Sequence, residues 1–131
     1  MLRRLAATLA GFVVFTLTLT TVEVISAAIF PLPARVAMDD EAAVHAWMAT
    51  LPATAFVLVL VGWALGSFFG GAVSARVGRH PAPPRAVGIL GTIGAVVNNL
   101  TVPQPPWMWA GLLLFVPCAL FGARVVRPPT A

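Results

Sequence analysis

The chain contains no lysine and no tyrosine, a single cysteine, and only four acidic residues in 131. Each scarcity excludes something. One cysteine, Cys118, cannot form an internal disulfide. Charged residues make up 9% of the chain, against the roughly 25% of a water-soluble domain, so the surface carries too little charge to face water. No run of five basic residues occurs, and the eight basic residues, all arginine, are scattered at the edges of apolar stretches. The net charge of +4 therefore gives no ground for nucleic-acid binding. No zinc-protease helix motif or nucleotide-binding loop is present, no cofactor signature is read, and Ser26, Ser67 and Ser74 have no evident base at matching depth. An enzyme is not expected, nor is a metal site: His45 and His80 fall on opposite sides of the layout described next.

What remains is apolar length. Hydrophobic residues are 60% of the chain, and they fall into runs bounded by proline clusters. Proline lacks the backbone donor a helix interior needs, so Pro31 and Pro33, Pro81, Pro83 and Pro84, Pro103, Pro105 and Pro106, and Pro128 and Pro129 mark connections. The segments between them are 5–30, 52–77, 86–102 and 107–126. A membrane-spanning helix needs about 20 apolar residues. The sequence thus predicts an all-α fold, an integral membrane four-helix bundle forming a single domain over 1–131. Pro117 is expected to kink the last span.

Arginines on short loops favour the cytoplasmic side. Arg3, Arg4, Arg76, Arg79, Arg85, Arg124 and Arg127 flank one end of the four segments, and only Arg35 the other. This predicts an N-in/C-in topology, with Trp47, Trp107 and Trp109 at the outer boundary. Arg3 and Arg4 followed by an apolar run and Ser26-Ala27-Ala28 have the outline of a secretory signal, but the run exceeds the usual 7–15 residues and a retained helix is expected. In the first outer loop Asp39 is a suitable N-cap, and Val44, Trp47, Met48 and Leu51 recur at helical spacing. A short amphipathic helix over 39–50 follows, lying on the outer membrane surface or capping the bundle.

Small residues let helix backbones approach one another in lipid. Gly62, Gly66 and Gly70 stand at four-residue spacing in the second span. They mark a packing seam, either within one bundle or between copies of the chain. In the third span Gly88, Gly91, Ala95, Asn98 and Asn99 share one arc at about 100° per residue, with Leu90, Ile93, Val97 and Leu100 opposite. Glu23 is the one carboxylate inside a span, on a face shared with Thr16, Thr20 and Ala27. It sits seven residues below the outer end of its helix, or about 10 Å. Asn98 and Asn99 map to a comparable depth, so the candidate site is a polar cluster of Glu23, Asn98, Asn99 and Thr20, with Glu23 hydrogen-bonded to Asn98 or Asn99 if the two helices adjoin. Arg35 and His45 are the outer cations that could fold back onto it.

The outer loop Pro31-Leu32-Pro33, the segment Trp63-Ala64-Leu65-Gly66-Ser67-Phe68-Phe69-Gly70-Gly71, the turn Pro103-Gln104-Pro105-Pro106-Trp107 and the closing Phe121-Gly122-Ala123-Arg124 together resemble an uncharacterised family of small four-helix bacterial integral membrane proteins. The resemblance implies that fold and the inner membrane of a bacterium, and no particular activity. Locally, Glu23-Val24-Ile25 is also similar to the first helix of small multidrug-resistance transporters, which place the carboxylate earlier and carry a lysine and tyrosines absent here. Two functional expectations follow. One is a structural or accessory membrane component acting through helix packing, with the bilayer and a homo-oligomeric or membrane-complex partner around it. The other is a small proton-coupled transporter or permeation protein using Glu23.

Overall fold

Every regular element in the computed structural model, which describes residues 1–127, is helical. In chain order these are α1 (Leu2–Ile29), α2 (Glu41–Ala49), α3 (Ala53–Gly78), α4 (Ala82–Thr101), a 3-10 segment (Pro106–Leu114) and α5 (Phe115–Val126), which continues it directly. Pro128 and Pro129, expected to follow the last helix, lie outside the described residues.

Three helices are long and apolar enough to cross a membrane: α1, α3 and the continuous stretch Pro106–Val126. That is the mark of an integral membrane protein. The expectation of four such spans is corrected here. The segment 86–102 belongs to α4, which begins at Ala82 and falls short of the other three in apolar character. Pro83, Pro84 and Arg85 occupy its first turn, and Asn98 and Asn99 its last.

The prolines explain why this helix begins earlier than the proline clusters imply. The first four N–H groups of any helix have no partner inside it, so proline costs nothing there. Pro83 and Pro84 open α4 instead of ending a connection, and both are fully buried. The turn from α3 to α4 shrinks to Arg79, His80 and Pro81. Arg79 closes α3 in the left-handed region (φ 49°), where its N–H donates to the Ala75 carbonyl at 2.9 Å. Pro117 likewise does not kink a continuous α-helix. The α-helical ladder starts at Phe115, which puts Pro117 in a first turn, and the turns before it are 3-10.

Packing centres on α3, which touches every other long helix. Phe15 of α1 lies over Gly66, Leu19 and Val22 over Gly62, and the Gly11 and Gly70 backbones meet further along. This order makes α1 and α3 antiparallel. Val87 and Gly91 of α4 stand beside Gly11 and Phe15, so α4 runs with α1. On its other side α3 meets α5, with Gly71 against the Ala119 carbonyl and the Phe68 carbonyl against Gly122. Between the helices Trp63 sits 5.2 Å from Phe115, ring centre to ring centre, and Phe15 is 6.1 Å from the same ring. Met108 and Val87 are completely covered in the same core.

The loop helix α2 is capped one residue later than expected. Asp40 adopts the extended N-cap conformation and accepts a hydrogen bond from Ala43 N–H at 3.1 Å, while Asp39 lies in the preceding turn. Trp47 and Met48 are half-buried, and no residue of α2 is fully buried.

Candidate functional site

The close packing of α1 does not extend along its whole length. Its buried residues are Ala7, Gly11 and Phe15, all in the first half. From Thr16 to Ile29 none is buried. Leu19 and Val22 are the last to rest on a glycine of α3; past them α3 presents Ala55 and Phe56 instead. The gap left between the second half of α1, the start of α3 and the end of α4 is roofed by α2 and holds two adjoining cavities. One, of about 320 Å³, is walled almost wholly by apolar side chains, including Phe30, Trp47 and Phe56. The other, of about 390 Å³, reaches down to Trp63 and Phe115. Leu19, Glu23, Met48, Val59 and Gln104 border both.

Glu23 therefore stands at the junction of the two spaces. Asn98 borders the deeper one with it. Asn99 does not: adjacent residues on a helix project about 100° apart, and Asn99 turns away from the cavity. Its amide oxygen and nitrogen are both buried without a hydrogen-bond partner. Thr20 is exposed and borders neither cavity. The expected hydrogen-bonded group is thus not formed as such. Among the described residues Glu23 makes no hydrogen bond and no ion pair; the one close contact between an acidic side chain and a basic one is Glu41 with His45, at 3.8 Å across one turn of α2.

Neither outer cation reaches Glu23. Arg35 borders a separate space of about 370 Å³ on the Trp47–Thr50 side of α2. His45 borders another, of about 280 Å³, which it shares with Met48 and Gln104. Gln104 is the residue the sequence reading passed over. It faces three of the four spaces, and its Oε1 is buried with no partner. The available signal was modest: it is the only glutamine in the chain and the only polar residue of the Pro103–Pro106 turn.

The packing residues lie elsewhere. Gly62, Gly66, Gly70, Gly88 and Gly91 are all buried. A methyl at Gly88 would come within 2.8 Å of the Val116 Cα, and one at Gly91 within 2.5 Å of the Phe115 ring. On the opposite side of α4, Leu90, Ile93, Val97 and Leu100 are exposed. The close approaches at Gly11 and Gly122 were not foreseen, although Cys118-x-x-x-Gly122 and Ala119-x-x-x-Ala123 repeat small residues at the right spacing. Among the described residues no three His, Cys, Asp or Glu side chains gather at one place.

The chemistry available is that of one carboxylate and two primary amides at the edge of an apolar space. Such a set can hold a proton or accept hydrogen bonds from a donor that enters from the side or from above. Comparison with protein-family models, curated proteins and solved structures finds no match to this chain.

Proposed function

We propose that the chain is a four-helix bundle of a bacterial inner membrane, with both ends cytoplasmic, belonging with the small membrane proteins it resembles. In this reading α4 is carried across the bilayer by its neighbours, and the protein is a non-enzymatic accessory component that works through helix packing. The observation that supports it is the second half of α1, where Thr16, Thr20 and Glu23 are exposed on one stripe and no residue is buried. A carboxylate left exposed at membrane depth, as Glu23 is at the open edge of its cavities, is costly, and such residues ordinarily face a helix partner or a water-filled cavity. The partner is a membrane helix presenting a hydrogen-bond donor at the depth of Glu23.

A photo-crosslinking residue at Thr20 then yields one discrete protein adduct in native membranes. Glu23→Gln keeps that adduct, because the amide still bonds to a donor. Gly66→Leu loses it by displacing Phe15 and with it α1. Adducts to lipid alone sink the proposal.

A second reading, a small proton-coupled transporter or permeation protein, is favoured by one observation: Glu23 and Asn98 border the same cavity of about 390 Å³. Reconstituted Glu23→Gln protein that moves protons or solutes as fast as the parent removes that reading.

A further inference from the structure

The end of the molecule away from α2 carries charge of one sign only. Seven arginines lie there, while the four acidic residues, Glu23, Asp39, Asp40 and Glu41, all belong to the other end. Two of the arginines are spent on the backbone. Arg3 of α1 donates from Nε to the Val77 carbonyl at 2.9 Å, and Arg127 donates to the His80 carbonyl. The short α3–α4 turn is thus held from both flanks. Gly78 beside it is closed in by Ala7 and Pro83, whose atoms would lie 3.0 Å and 2.9 Å from a methyl placed there. The ends of α1, α3, α4 and α5 therefore converge on His80. Its Nδ1 accepts a hydrogen bond from Ala82 N–H at 3.1 Å, and its Nε2 makes no hydrogen bond among the described residues. Burial pushes this imidazole below its ordinary value, and the positive fields of Arg4, Arg127 and Arg85 push it the same way. Guanidinium groups from three different helix ends thus act on one histidine, Arg127 through a bond to the histidine's own carbonyl, and no carboxylate among the described residues answers them.

We propose that this convergence is a binding site for the phosphate of an anionic phospholipid, gripped by Arg4 and Arg85 beside the His80 turn that Arg127 braces. Guanidinium forks match phosphate oxygens in pairs. Neither Arg4 nor Arg85 donates a side-chain hydrogen bond within the described residues, so both forks are available. The depth is that of a lipid headgroup. The 28 residues of α1 extend about 42 Å, against a hydrocarbon core of about 30 Å, so its arginine-bearing first turn stands clear of the core. A bound headgroup also relieves the mutual repulsion of charges that have no counter-ion among the described residues.

The test uses the full chain in neutral phosphatidylcholine nanodiscs, titrated with phosphatidylglycerol, with bound lipid counted by native mass spectrometry. Phosphatidylglycerol is retained in preference to phosphatidylcholine. Arg4→Gln/Arg85→Gln weakens its binding about twenty-five-fold, at about five-fold for each arginine near the surface. Arg76→Gln/Arg124→Gln, an equal loss of charge at the same end, weakens it by a clearly smaller factor, because neither arginine reaches the phosphate. Equal losses in the two double variants would mean a diffuse field and no site. Displacement of the lipid by millimolar inorganic phosphate would assign the site to a soluble anion and overturn the lipid reading. A pH titration checks it independently of the arginine variants. Protonation of His80 adds a charge facing Arg4, Arg127 and Arg85 that only a bound anion can offset. Phosphatidylglycerol binding therefore strengthens in the parent as the pH is lowered from 7.5 through and well below the ordinary imidazole value of 6.5, and stays flat in His80→Gln; a parent flat until the protein unfolds refutes the placement of the phosphate at His80.

Discussion

The crossing of α3 and α5 gives the most exacting test of the packing, through Gly71→Ala. A methyl at Gly71 would fall inside the contact shell of the Ala119 carbonyl, and one at Gly122 inside that of the Phe68 carbonyl. Both obstacles are backbone, so no side chain can rotate away, and the two helices must part along the whole crossing. Overpacking of this kind costs about 1–3 kcal/mol. Alanine is the better helix former by about 0.8 kcal/mol, which offsets part of that and leaves a net loss of up to about 2 kcal/mol. Gly94→Ala is the control. Nothing lies within 4 Å of a methyl there and the residue is exposed, so only the backbone term acts, stabilising by about 0.5–1 kcal/mol. The two variants should therefore differ by the overpacking cost itself, about 1–3 kcal/mol, in reversible unfolding by dodecyl sulfate in mixed micelles, followed by far-ultraviolet circular dichroism. Gly122→Ala added to Gly71→Ala should cost less than it does alone, because the helices have already separated. A Gly71→Ala protein as stable as Gly94→Ala would refute the close crossing outright.

Two further substitutions probe buried polar groups under the same conditions. Ser67 is completely covered and its hydroxyl has no partner, whereas the Ser74 hydroxyl donates to the Gly71 carbonyl at 2.9 Å. Ser67→Ala should leave stability unchanged or raise it by about 1 kcal/mol, and Ser74→Ala should lower it by about the same amount. A loss above about 1 kcal/mol in Ser67→Ala would show that the hydroxyl is partnered after all. The third prediction concerns acid. His80 is lowered from its ordinary value of 6.5 by burial and by Arg4, Arg127 and Arg85, so the unfolded chain binds the proton more readily than the folded one. Its contribution is present in full above pH 6.5 and is lost as the pH falls from there through the lower, folded value. The melting temperature in neutral detergent should therefore drop between pH 7 and 5, and drop less in His80→Gln; parallel curves would exclude His80 as the cause.

The parts of this fold that were legible in the sequence are those written in a single local pattern. Apolar length marks α1, α3 and Pro106–Val126 because the bilayer demands it of each helix separately. Proline was misread at Pro83, Pro84 and Pro117 for one reason. The residue forbids a helix interior but suits a first turn, and which of the two applies depends on where the neighbouring helix ends. The site shows the same division. Glu23 is conspicuous as the lone carboxylate of an apolar run, and Asn98 shares its cavity. Gln104 arrives there only because a proline-rich turn carries it back over the end of the bundle, and Asn99, one residue from Asn98, is rotated out. No local pattern encodes the cavity itself, because it forms where a pattern stops. The glycine seam of α3 holds α1 down to Gly62 and ends there, with no glycine among the nine residues of α3 that precede it. Small residues draw helices together in lipid by letting backbones meet; larger ones keep them apart. The arginine-bearing half of the molecule is therefore closely packed and the other half hollow. The hollow half, where among the described residues Glu23 has no partner and the Gln104 Oε1 no donor, is the part that a second molecule can complete.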